Sequence, residues 1–184
     1  MRVIAGTAKG HRLFTPKSDL IRPVLDQVKE AIFNILFDVS DFKVLDLFAG
    51  TGAMGIEALS RGAGRTVFVD QSREAIELLH KNLEKCGLAK TSQVLPISTG
   101  KGIATLGKKR EKFDLIFVDP PYERNLVNKT LRDLLKHRLV GPETIIIIEH
   151  HPKEPVELPE GIVLTDERKY GQTLISFLKG KGDA

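Results

Sequence analysis

The chain has 184 residues with Lys+Arg 28 against Asp+Glu 24, a formal net charge of +4, which suits one domain around a single core and is compatible with a polyanionic partner. Its single cysteine, Cys86, excludes an internal disulfide framework, and no Cys/His spacing of the zinc type predicts a metal site. Met1-Arg2-Val3-Ile4-Ala5-Gly6 lacks the apolar region of a signal peptide, and no run is long enough to span a bilayer, so a cytoplasmic protein without a membrane partner is expected.

Residues 1–22 read as a short β-hairpin or arm, with glycines at Gly6 and Gly10 and a close at Arg22-Pro23. The segment looks like an appendage to a main domain over 23–184. Lys9, His11, Arg12, Lys17 and Arg22 crowd into it, with Asp19 opposing them, a cluster that suits phosphate contacts as well as it suits a solvated face. Lys108-Lys109-Arg110 forms a second basic cluster. Leu25, Val28, Ile32, Ile35 and Leu36 recur at three- and four-residue spacing, which predicts a helix from about Asp26 to Phe37 with Asp26 capping its first turn.

From Lys43 onward, short apolar runs alternate with amphipathic stretches. The pattern predicts strand 43–48, helix 53–61, strand 65–69, helix 72–86, strand 92–96, helix 101–109, strand 113–118, helix 123–137 and strand 144–149. This is βαβ architecture, and Ile145-Ile146-Ile147-Ile148 is the continuous run of a strand covered on both faces. Past Pro152, Pro155 and Pro159, residues 161–168 and 173–178 flank Tyr170-Gly171-Gln172 and read as a terminal hairpin.

Two strand ends carry the chemistry. Val44-Leu45-Asp46-Leu47-Phe48-Ala49-Gly50-Thr51-Gly52-Ala53-Met54-Gly55 is a strand, a glycine-rich turn and a helix start, which lets the backbone approach a ligand closely. Asp70 closes the next strand, where it can accept hydrogen bonds from ribose hydroxyls, and Ser72 is the better cap for the following helix. Asp46 suits a cationic methionine ammonium better than a pyrophosphate, although a buried acid organising the turn through backbone N–H groups is the alternative. Asp119-Pro120-Pro121-Tyr122 ends an apolar strand with a carboxylate, two stiff prolines and an aromatic ring. Asp119 and the Pro120 carbonyl can accept hydrogens from an amino group, and Tyr122 can stack on the ring that bears it.

With these segments in view, the chain resembles the class I methyltransferases and, closely, the bacterial 16S rRNA (guanine(966)-N2)-methyltransferase family. The resemblance is carried by Arg2-Val3-Ile4-Ala5-Gly6, Lys9-Gly10-His11-Arg12-Leu13, Arg22-Pro23, Asp26, 30–36, 44–52, Gly55 and 57–62. Asp119-Pro120-Pro121-Tyr122, Glu149-His150 and Tyr170-Gly171 complete it. It implies an α/β, Rossmann-like fold with a seven-stranded, mostly parallel sheet, a C-terminal antiparallel hairpin and the N-terminal arm.

The resemblance further implies S-adenosylmethionine as cofactor, held by Asp46, Phe48, Ala49, Gly50, Thr51, Gly52, Asp70, Gln71 and Ser98. Catalysis would fall to Asp119, Pro120, Pro121 and Tyr122, and RNA positioning to Lys9, His11, Arg12 and Arg22. The implied reaction methylates the N2 amine of a guanine in 16S ribosomal RNA, within a small ribosomal subunit or assembly intermediate, by a monomeric enzyme. This chain departs from the family at Val24-Leu25, where threonines are usual, at Gln27, and at Pro96-Ile97-Ser98-Thr99-Gly100, where Ser98 stands in for an acidic adenine contact.

Asp-Pro-Pro-Tyr also serves N6-adenine or N4-cytosine methylation of DNA or other RNA. Gly50-x-Gly52-x-x-Gly55 alone would fit an NAD-dependent oxidoreductase, and the basic arm alone a noncatalytic RNA-binding protein. His150 and His151 end a strand as adjacent residues facing opposite sides, so they are poor joint metal ligands and a structural role is favoured for His150.

Overall fold

The structure, a computed structural model, describes residues 1–16, 26–121 and 125–181. Strands β1 (Lys43–Leu47), β2 (Arg65–Asp70), β3 (Ser92–Pro96), β4 (Leu115–Val118), β5 (Ile145–His150), β6 (Ile162–Tyr170) and β7 (Thr173–Gly180) form a seven-stranded sheet in the order β3-β2-β1-β4-β5-β7-β6, with five α-helices among the described residues. The mixed sheet and terminal hairpin are as expected from the sequence. The chain divides into two compact units, Met1–Ile97 and Ser98–Ala184.

In the first unit, β1 (Lys43–Leu47), β2 (Arg65–Asp70) and β3 (Ser92–Pro96) run parallel, with Asp46 opposite Phe68 and Asp70 opposite Pro96. Parallel register brings the C-terminal ends of β1 and β2, and hence their carboxylates, to the same edge. Helices α1 (Asp26–Leu36), α2 (Ala53–Ser60) and α3 (Arg73–Lys85) accompany these strands. Every residue of α2 is buried, so the helix is apolar all round except where a polar residue has a dedicated partner.

The N-terminal residues form a hairpin-like loop, with Val3 N–H donating to the His11 carbonyl at 3.0 Å and Gly10 N–H to the Val3 carbonyl at 2.9 Å. It is not a loose appendage, because Val3, Ala8 and Leu13 are buried and its backbone is bonded to α2. Ile4 N–H and Ala5 N–H donate to the Glu57 carboxylate at 2.8 and 3.0 Å. The same carboxylate accepts from Arg61 Nε at 2.8 Å and faces Lys29 Nζ at 3.2 Å. At the helix end, Ser60 Oγ accepts from Ala8 N–H at 2.9 Å and donates to the Ala5 carbonyl, while the Ser60 carbonyl accepts from Thr7 N–H at 2.7 Å.

In the second unit, β4 (Leu115–Val118) and β5 (Ile145–His150) are parallel. β7 (Thr173–Gly180) pairs antiparallel with both β5 and β6 (Ile162–Tyr170). Helices α4 (Thr99–Lys108) and α5 (Leu126–Lys136) complete it. His150 is buried, with Nδ1 3.0 Å from the Glu154 carbonyl and Nε2 2.8 Å from Ser176 Oγ, which donates to Glu167 at 2.8 Å. These bonds tie the end of β5 to β7, β6 and the following loop, a structural arrangement. Among the described residues no helix is long and apolar enough to cross a membrane.

Gly6 and Gly10 separate two costs that glycine avoids. Both have left-handed φ, +80° and +86°, but a Cβ on Gly6 would lie 1.6 Å from the Ser60 carbonyl oxygen, whereas one on Gly10 would meet nothing within 4 Å. Gly10→Ala therefore costs only the left-handed penalty, about 1 kcal/mol, and Gly6→Ala costs clearly more, over about 2 kcal/mol, because backbone must move. Urea unfolding of both variants checks this; equal losses would mean that the approach to Ser60 does not constrain the arm.

Candidate functional site

The turn after β1 is built from backbone that few residues adopt. Phe48, Gly50 and Gly52 have φ of 58°, 55° and 84°, and an aromatic residue in the left-handed region is a local strain of the kind that clusters where ligands are held. The turn is secured by Ala49 N–H to the Val69 carbonyl at 3.1 Å and Gly52 N–H to the Ala49 carbonyl at 2.8 Å. Gly52 is the N-cap of α2 and has no side-chain cap, so this helix start keeps its positive dipole end toward the turn.

At two of the glycines, packing alone already forbids a side chain. A Cβ on Gly52 would sit 2.3 Å from Leu79 Cδ1, and one on Gly55 would sit 2.3 Å from Phe68 Cε1. These two positions therefore carry a packing constraint that the sequence did not show: α2 comes too close to α3 and β2 to tolerate a side chain there.

Asp46 is 3% exposed, and its carboxylate accepts from Gly55 N–H at 2.9 Å. Burial pushes its pKa from 3.8 up to about 8; the Gly55 bond pulls the other way and the charge of Asp70 adds to the rise. The turn-organising role is therefore real. It leaves room for another, since a carboxylate has about four acceptor positions and a cation beside it would relieve the burial cost of its charge.

Asp70 accepts from Gly50 N–H through one oxygen at 2.8 Å and from Ser72 N–H through the other at 2.7 Å. Both oxygens are held in place and each retains acceptor capacity, a fit for paired hydroxyl donors. Ser72 caps α3, accepting from Ala75 N–H at 3.3 Å, so Asp70 is not needed as the cap. Thr51 is buried, Ala49 is buried, and Gln71 beside Asp70 is exposed. Among the described residues no cluster of His, Cys, Asp or Glu could hold a metal ion.

The second unit presents its candidates at the end of β4. Asp119 is half-buried, Pro120 buried and Pro121 exposed. Tyr122 lies outside the described residues, as do Lys17, Asp19 and Arg22. Ser98 is the N-cap residue of α4 with no side-chain cap bond, so its hydroxyl is not spent on the helix it precedes. On the arm, Lys9, His11 and Arg12 are all exposed, and His11 Nδ1 lies 2.9 Å from the Ala8 carbonyl, which fixes the ring and leaves Nε2 for other partners.

Three buried polar residues escaped the sequence reading. Lys29, Glu57 and Asn82 are each completely buried; the first two fasten the arm, and Asn82 Nδ2 donates to the Thr51 carbonyl in the glycine turn at 3.0 Å. The available signal was the same each time, a polar residue inside an apolar helical stripe.

The family described as Conserved hypothetical protein 95 matches residues 1–179 of this chain. A Bacillus subtilis protein, whose name assigns it provisionally to the rRNA methyltransferases, is 37% identical over 99% of this chain and 100% of its own. Ribosomal RNA small subunit methyltransferase D of Escherichia coli is 35% identical over 81% of this chain and 74% of its own. A solved Escherichia coli structure, described provisionally as a methyltransferase, superposes with a TM-score of 0.87 at 30% identity, covering 100% of this chain and 99% of that one. The chain therefore belongs to this family, in company with ribosomal RNA small subunit methyltransferases, and the resemblance read from the sequence is a family relationship.

Proposed function

We propose that the protein transfers a methyl group from S-adenosylmethionine to the exocyclic N2 amine of a guanine in small-subunit ribosomal RNA, as part of a small ribosomal subunit or an assembly intermediate. The observation that carries this reading is Asp119-Pro120-Pro121-Tyr122 at the end of β4, in a chain whose relatives are named as small-subunit rRNA methyltransferases. S-adenosylmethionine supplies an electrophilic methyl group on a sulfonium. Asp46 and the turn 48–52 hold its methionine end, Asp70 and Gln71 its ribose, and Ser98 its adenine.

A guanine amine is a weak nucleophile because its lone pair is delocalised into the ring. Asp119 and the Pro120 carbonyl accept its two hydrogens, which draws the nitrogen toward tetrahedral geometry and aims the lone pair along the line of attack. Pro121 stiffens the turn, and Tyr122 stacks on the base. After transfer the nitrogen is strongly acidic, so its proton leaves to Asp119 or to water without a histidine base. Lys9, His11, Arg12 and Arg22 position the RNA through phosphates, and the base must be unpaired or flipped outward to reach Tyr122.

Transfer of labelled methyl to small subunits from cells lacking the gene, followed by nucleoside analysis, tests the reading. Label in N2-methylguanosine is expected, and label confined to methylated adenine or cytosine would overturn the target. Asp119→Ala should lower turnover by about 10²-fold or more while leaving S-adenosylhomocysteine affinity within about threefold; retained activity would remove Asp119 from the chemistry.

Arm and cofactor site each yield a solution measurement. Lys9→Gln with Arg12→Gln should weaken RNA binding and reduce the salt slope by roughly 0.7–0.9 for each phosphate no longer neutralised; an unchanged slope would take the arm off the RNA. Since Asp46 stays protonated until about pH 8, a cationic ammonium binding there must expel its proton. Affinity for S-adenosylhomocysteine is therefore expected to rise between about pH 6 and 8, by up to about tenfold per unit, and then to level off. Titration calorimetry in buffers of different ionisation enthalpy reads the proton release directly, and its absence at neutral pH would separate Asp46 from the ammonium.

A further inference from the structure

The inward face of α3 is formed by Ala75, Ile76, Leu79, Asn82 and Leu83. Four are apolar, and the fifth is an amide with no exposure to solvent. An amide in that place is costly unless its polar atoms are partnered, and they are. Oδ1 accepts from Phe14 N–H at 2.7 Å, and Nδ2 donates to the Phe14 carbonyl at 3.1 Å and to the Thr51 carbonyl at 3.0 Å. The pair of bonds to Phe14 imitates those that one strand residue gives its neighbour, while the third ends between Gly50 and Gly52. A leucine would complete the apolar stripe and leave three backbone groups without these partners.

The rest of α3 reinforces the arrangement. Leu79 closes against Gly52, and Lys85 Nζ donates to the Arg12 carbonyl at 2.6 Å and lies 4.6 Å over the Phe14 ring. One helix thus grips the basic end of the arm and the glycine turn together, with Asn82 touching both.

We propose that Asn82 is a positioning residue that couples the arm to the glycine turn, so that filling the cofactor site tightens the arm at Phe14 and RNA seated on the arm tightens the turn. The coupling presupposes the methyltransferase function proposed for this site. Linkage requires the effect to be reciprocal: whatever factor RNA gives to cofactor affinity, cofactor gives to RNA affinity. The planar amide hydrogen-bonds to both segments at once, so its loss should uncouple them without removing either site.

Amide exchange followed by NMR, with S-adenosylhomocysteine as the probe, tests this. In the wild-type protein, saturation is expected to slow exchange of the Phe14 N–H by about fivefold or more, and by more than that of the Val3 and Leu13 N–H groups, which are bonded to the His11 and Met1 carbonyls within the arm. Asn82→Asp keeps an acceptor for Phe14 N–H but exchanges two N–H donors for at most one O–H, so the Phe14 and Thr51 carbonyls are no longer both held; it should still bind S-adenosylhomocysteine and lose most of the Phe14 response. Asn82→Leu, which suits the apolar stripe, serves if the aspartate variant does not fold, with Phe14 exchange fast and unresponsive in both states. Binding of the probe to wild-type protein without a selective change at Phe14, or a response retained in either variant, overturns the coupling. Failure of the wild-type protein to bind the probe at all would count against the cofactor reading instead.

Discussion

The Glu57 carboxylate sets the architecture of the first unit. It and Lys29 have no side-chain exposure, and removing such charges from water costs several kcal/mol per ion unless their hydrogen-bonding capacity is met. Here it is met by two consecutive backbone N–H groups, a guanidinium and an ammonium. A pair of this kind is weak as a source of net stability, because well-packed apolar residues could replace it. Its effect is on register. Ile4 and Ala5 reach the two oxygens together in one placement of the arm, and the same placement buries Val3 and Ala8 and brings Gly6 against Ser60. A one-residue slip would break these contacts together. Lys9, His11 and Arg12 face solvent as a consequence of what the rest of the arm is bonded to.

From this anchor the constraint passes to the glycine turn through two helices. α2 is capped by Gly52, in the turn, and ends at Ser60, which is bonded to the arm, so one short buried rod spans both. α3 closes the other side, with Leu79 against Gly52 and Asn82 on Thr51. Substituting Gly52 or Gly55 would push helix from helix or from strand, so the close packing itself requires glycine at both positions. The strained backbone at Phe48 is then held by a surround that cannot easily relax, the condition under which such strain persists. Preorganisation of this kind favours a site that binds with little rearrangement.

What could be read from the sequence follows the same physical division. The elements were legible because strands and helices write their periods into side-chain pattern, and the cap at Ser72 because capping is local. Asp46 and Asp70 were legible as strand-end acids beside a glycine turn. The docking of the arm was not, since it is made by backbone N–H groups of Ile4, Ala5, Thr7 and Ala8, and the amino-acid pattern describes side chains. Lys29, Glu57 and Asn82 interrupt apolar stripes visibly, but their partners on the arm lie 27 to 68 residues away, and nothing local names a partner at that distance. The role given to Gly52 and Gly55 was incomplete for a related reason: a glycine shows that space is short, not what fills it.

Asp46 joins the two levels. Its bond to Gly55 N–H, near the positive end of α2, favours the charged form, yet burial outweighs it and the pKa settles near 8. A neutral carboxyl is well suited to hold the turn together, and it becomes a strong acceptor of charge only when a cation arrives to compensate the ionised form. A pyrophosphate would gain nothing from that exchange and would also face the Asp70 carboxylate, which the Gly50 and Ser72 N–H groups hold in place. The glycine spacing by itself fits a dinucleotide; under the function proposed here, the two acids at the ends of adjacent parallel strands would favour a ligand that pairs a cationic group with ribose hydroxyls. Specificity at this edge would then come from what the carboxylates repel as much as from what they attract.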